Sequence, residues 1–226
     1  MPQKRIFATS IDFQIEMDCS SSWMSFCTTH LLKLKLNTPL WRLVMAKAST
    51  ARPVFNKAEL KKHAIQSMDK GAVTENYPLD VKQACQLLNE ALAGEILCVL
   101  RYRHHQITAK GIDFIEVANE FREHAEEEEK HMLMLAERID QLGGDPDFRP
   151  ESVVKNAATE YGNAKDLREM IRDDLIAERI IIEVYRKLIT WFEPDVTTRR
   201  MLEQILGDEE EHATDMSDLL ARMGRH

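Results

Sequence analysis

Four stretches of this chain, each roughly 25 to 30 residues long, place apolar side chains at alternating steps of three and four. That spacing marks one face of an α-helix, and four such faces must be buried against one another. The first stripe reads Ala84, Leu88, Ala91, Glu95, Cys98, Tyr102, His105, and the second Val117, Phe121, His124, Glu128, His131, Leu135, continuing to Leu142. The third reads Ile171, Leu175, Glu178, Ile182, Tyr185, Ile189, Phe192, and the fourth Leu202, Ile205, Glu209, His212, Met216, Leu219, Met223. An all-α four-helix bundle over residues 78–224 is therefore expected, and the low aromatic content of 7% with few Gly and Pro agrees with it.

Local signals set the expected bounds. Asp80 with Gln83 and Asp113 with Glu116 are capping-box pairs, so helices should begin there and run over 80–108 and 113–142, the second stopped by Gly143 and Gly144. The third should span 165–192, halted before Pro194, and the fourth 197–223, closed by Gly224. The first and third links are short and imply antiparallel hairpins. The second, 143–164, is long enough to cross the whole bundle at about 3.3 Å per residue, so one long crossover is expected between the second and third helices.

Residues 1–62 differ. They carry ten Lys/Arg against four Asp/Glu, which leaves 20 against 34 for the remainder, so an acidic body follows a basic N-terminal arm. The arm reads as a disordered tail, as an organelle transit sequence, or as sequence upstream of a true start at Met45 in MAKASTARP. A basic arm suits nucleic acid, an anionic membrane surface or an acidic partner, whereas the body alone does not suit DNA. Cys19, Cys27, Cys85 and Cys98 form no CxxC pair, which points to a reducing cytoplasm, and no apolar run approaches the ~18 residues that span a bilayer.

The polar residues inside the stripes need a reason. Of the four glutamates in HAEEEEKHMLML only Glu128 is on the stripe, and His131 follows one turn later. Glu209 and His212 in GDEEEH repeat that spacing, while Glu95 and Glu178 sit half-way along the other two stripes. Any one of the six is most simply a satisfied core group or a helix-end residue. All six together are not, since ionised carboxylates in a core are costly unless paired or bound to metal, and the stripes offer no Lys or Arg near them. Carboxylates with imidazoles suit Fe(II) or Mn(II). One Glu from each of two helices plus ExxH from each of the other two matches the di-iron carboxylate arrangement.

From Leu79 to Gly224, through GEILCVLRYRHH, EEEKHMLMLAERIDQLGG, LIAERIIIEVY and ILGDEEEH, the chain resembles a bacterioferritin-type member of the ferritin superfamily. The resemblance implies a ferritin-like bundle with two irons per subunit, Glu128 and Glu209 bridging, Glu95 with His131 on one iron and Glu178 with His212 on the other. Tyr102 is implied as an electron donor beside them. It implies a ferroxidase that oxidises Fe(II) with O2 or H2O2 and stores ferric mineral in a homo-oligomeric shell. Two departures qualify it. The family's haem-binding methionine follows the first bridging glutamate, and Glu129 stands there, so haem is not expected. Only fourteen residues follow His212, leaving no room for a fifth helix, so a Dps-like 12-mer is favoured over a 24-mer. Manganese remains open as the metal, with a di-manganese catalase or a rubrerythrin-like peroxidase as alternatives. A Dps-like DNA-protecting role through Lys4, Arg5, Lys33, Lys35, Arg42 and Lys47 is another.

Overall fold

The structure, a computed structural model, describes residues 53–223 apart from 112, 113 and 163. The expectations for residues 1–52 and for the cap at Asp113 lie outside the described residues. Six α-helices occur among those described: α1 Lys57–Ile65, α2 Val81–Thr108, α3 Phe114–Gln141, α4 Pro150–Asn156, α5 Leu167–Trp191 and α6 Val196–Met223. The arm boundary expected at 62 falls inside α1, which Asn56 caps through Ala58 N and Glu59 N and which buries no residue.

Helix ends follow local chemistry. The Asp80 side chain accepts from Gln83 N at 2.8 Å and Asp166 from Glu169 N at 2.9 Å, satisfying N-terminal amides that have no helical partner. Asp195 does the same for α6, accepting from Thr197 N and Thr198 N. At the end of α3, Gly143 takes φ +80°, and a Cβ on Gly144 would lie 2.7 Å from Cys85 Sγ, so both positions need glycine for different reasons.

Two apolar clusters give the topology. One joins Leu88 and Leu92 of α2, Leu135 and Ile139 of α3, Leu188 of α5 with Phe192 beyond it, and Leu202 and Ile205 of α6. The other joins Tyr102, Phe121, Ile171 and Leu219 from the opposite ends of the same four helices. Thus α2 and α6 run one way, α3 and α5 the other, and the link between α3 and α5 must traverse the bundle as expected. Each fully buried Leu, Ile or Phe contributes about 1.5–3 kcal/mol, so two such clusters hold the helices in fixed axial register.

The crossover contains an element that periodicity did not predict, the seven-residue α4, with Val153 its buried residue. Tertiary contacts lay the crossover along α2. Asn89 donates to Asp145 O and accepts from Asp147 N, and Arg101 donates to Glu160 O further on. No helix among the described residues is long and apolar enough to cross a membrane.

Candidate metal centre

Between the two apolar clusters the helices bring Glu95, Glu128, His131, Glu178, Glu209 and His212 together, all at most 2% exposed. Glu95, Glu128, His131 and Glu209 offer ligand atoms lying within 4.8 Å of one another, and so do Glu128, Glu178, Glu209 and His212. The two sets share Glu128 and Glu209. His131 Nδ1 lies 3.6, 3.5 and 3.0 Å from oxygens of Glu95, Glu128 and Glu209, and His212 Nδ1 lies 3.5 and 3.8 Å from Glu128 and Glu209.

Hydrogen bonding separates the inward atoms from the outward ones. Among the described residues ten buried side-chain polar atoms lack a hydrogen-bond partner, and eight belong to these six residues. They are one oxygen each of Glu95 and Glu178, both oxygens of Glu128 and Glu209, and Nδ1 of His131 and His212. Orphaned buried polar atoms normally cost about 1–3 kcal/mol each, so eight converging on one point call for cations. Each set would offer an ion one imidazole nitrogen and oxygens from three glutamates, with Glu128 and Glu209 available to both. These residues fit two hard or borderline divalent cations.

The outward atoms are all held. Tyr185 donates its hydroxyl to Glu95 Oε1, and Tyr102 donates to Glu178 Oε1, each tyrosine lying seven residues beyond the glutamate of its own helix and bonding the glutamate of the other. His131 Nε2 lies 3.1 Å from Asp208 and His212 Nε2 2.9 Å from Glu127, which fixes both rings with Nδ1 inward. Spacing alone marks Tyr185 as core and Glu127 as surface charge, and singles out nothing at Asp208. A signal was present, because the pattern of carboxylate, Glu, two residues, His occurs as Glu127 to His131 and again as Asp208 to His212. Glu126 and Glu129 do point away, half-exposed near Arg103.

The stripes carry no Lys or Arg near these residues, but Arg101, one position off the first stripe, is buried beside them. It is 1% exposed and donates to Asp174 Oδ1 at 2.8 Å, while Asp174 Oδ2 lies 2.8 Å from His105 Nδ1. Arg101 ion-pairs with Asp174 and with none of the six inward residues, although its charge also reaches Glu178, so the carboxylate cluster keeps its need for cations.

Without cations, protons balance the charges. Burial, then Glu209 and Glu128, raises the Glu95 and Glu178 carboxyls well above the carboxylate range. Burial opposes charge on the two histidines, yet neighbouring glutamates outweigh it, raising His131 and pushing His212 up to about 12. Burial also works against Glu128 and Glu209, but His131 and His212 hold both low. Groups raised in this way hold protons that entering cations must displace. Loading should therefore release protons and weaken as pH falls, because protons then compete for the same atoms. A titration with Zn(II) in weak buffer, read by pH-stat, checks this; release of fewer than one proton per ion would contradict it.

Residues 85–225 match the family model of the ferritin-like domain. A nutrient stress-induced DNA-binding protein of Synechococcus sp. is 33% identical over 143 residues, covering 62% of this chain and 81% of that protein. Among solved structures, a dodecameric thioferritin, the bacterioferritin-related protein from Bacteroides fragilis, is 33% identical with a TM-score of 0.63, over 65% of this chain and 89% of that one. Ferritin-like diiron-carboxylate proteins from Bacillus anthracis are 31% identical with a TM-score of 0.56, over 62% of this chain and 96% of theirs.

Proposed function

This chain belongs to the ferritin-like domain family, and we propose that it is a ferroxidase that oxidises Fe(II) and stores the ferric product inside a shell of its own copies. The observation that carries the reading is the pair of four-residue ligand sets sharing Glu128 and Glu209. Iron is the substrate. Two Fe(II) ions held side by side supply two electrons together, enough to reduce H2O2 to water without a one-electron radical, and O2 serves as an alternative oxidant.

The protein's own part is to bind, orient and exclude water. Glu128 and Glu209 bridge, Glu95 with His131 holds one ion, and Glu178 with His212 holds the other. Tyr102, donating to Glu178 within the buried core, is placed to give an electron and a proton. The dodecameric neighbour favours a 12-subunit shell, and unpaired buried Cys85 and Cys98 suit a reducing cytoplasm.

To test this, Fe(II) is added anaerobically to metal-free protein, then O2 or H2O2 is admitted while oxidation and retained iron are measured. Rapid oxidation with many irons retained per chain is expected. Retention of two and no more would instead favour a di-metal peroxidase, and catalase activity only when Mn(II) is supplied would favour the manganese reading. A second role, DNA binding through the basic arm, draws on the DNA-binding relative. It predicts a gel shift by the full chain that weakens steeply with salt and is lost when residues 1–44 are removed.

A further inference from the structure

A third cluster lies beside the two sets just described. Glu120 and His124 are one turn apart on α3, Asp215 faces them from α6, and their ligand atoms lie within 4.8 Å of one another. His124 is 2% exposed, and its ring stacks on that of His212 at 4.1 Å. Its Nδ1 lies 3.3 Å from the Tyr102 oxygen. Since Tyr102 donates its own proton to Glu178, that oxygen must accept from His124, so Nδ1 carries the hydrogen and Nε2 presents a lone pair.

That lone pair is aimed at Glu120 Oε1, 3.5 Å away, and Asp215 Oδ2, 3.6 Å away, and Nε2 makes no hydrogen bond among the described residues. Three lone-pair donors facing one another repel unless something positive sits between them. Donor atoms bound at about 2.1 Å to one ion stand about 3.0 Å apart when adjacent and about 4.2 Å when opposite, so these separations bracket a shared cation. The cluster opens into a polar cavity of about 260 Å³ shared with Glu127, Asp208 and His212, and Glu120 and Asp215 are 30% and 40% exposed, so water can complete the coordination.

We propose that Glu120, His124 and Asp215 bind one partly hydrated divalent cation at the solvent side of the paired site, where an ion waits before passing His212. The binding stands on this cluster's geometry alone, while the waiting role rests on the ferroxidase reading. The test uses the full chain with Zn(II) as probe, combining equilibrium dialysis with anomalous scattering from loaded crystals. Three Zn(II) per chain are expected, one of them at His124 Nε2. The Glu120→Gln/Asp215→Asn double variant should lose that peak and keep the other two. Absence of the peak in the wild type, as for a protonated His124 paired with the carboxylates, overturns the proposal, as does a peak that survives in the double variant. Zn(II) at His124 with none between Glu128 and Glu209 would sink the ferroxidase reading and leave this site standing.

Discussion

Replacing Glu128 with alanine should slow Fe(II) oxidation by roughly 100-fold or more, measured by stopped-flow absorbance after mixing with O2. Both inward ligand sets include Glu128, so its loss removes one donor from each set at once. Changes to groups that merely hold a ligand typically cost about 10–100-fold in affinity or activity, and a shared ligand should exceed that. The loss has a second component. Glu128, with Glu209, stabilises positive charge at both His131 and His212, so its removal also unbalances the metal-free site. Glu126→Ala on the same helix is the control: its side chain meets Arg122 at 3.0 Å in solvent, and the rate should stay within about twofold of the parent. If Glu128→Ala oxidised iron at the parental rate, the paired-metal assignment would fall.

Asp174→Ala should be the most damaging single change to the fold. Asp174 is fully buried between Arg101 and His105, 73 and 69 positions away in sequence, and its removal strands a guanidinium in the core. Breaking a buried pair by deleting one partner costs about 3–5 kcal/mol. For a domain of this size, that lowers the midpoint of thermal unfolding by roughly 10 °C, measured on metal-free protein at constant concentration. Deleting both charges is a different experiment. An Arg101→Met/Asp174→Leu variant leaves nothing unpaired and should recover much of the loss. Were the single variant to melt within about 2 °C of the parent, Arg101 would have to be reaching water, and the crossover would not be closed over it.

The bundle was legible because its signals are local. Asp80 and Asp166 cap their own helices, and the observed ends agree with the expected ones to within two residues. The one long crossover followed from length alone. α4 was not legible, since seven residues with a single buried side chain make no stripe, and the crossover is placed by Asn89, more than fifty residues earlier. The burial of Arg101 was not legible for a related reason: arginine is ordinarily a surface residue, and the carboxylate that lets it stay inside is on another helix.

The six inward residues were readable because helical phase decides which way each points, and phase is set by counting. Glu127 sits about 100° off that phase and reads as solvated, and Asp208, equally off phase, is not singled out, yet each side chain is long enough to reach the histidine on the facing helix. Tyr185 read as core, and it is core; that its hydroxyl meets Glu95 depends on how far α5 is slid along α2.

Periodicity in the chain by itself determined which face of each helix is buried and that four carboxylates and two imidazoles share those faces. Only the tertiary structure decided which oxygen points at which nitrogen, which ligand atoms are orphaned, and that His124 turns its free nitrogen toward Glu120 and Asp215. The reason is physical. Phase around a helix is a property of one segment, but hydrogen bonds of about 3 Å between helices require their axial offsets to be right within an ångström or so. Those offsets are set by the packing of both apolar clusters and by the path of the crossover, to which all four helices contribute.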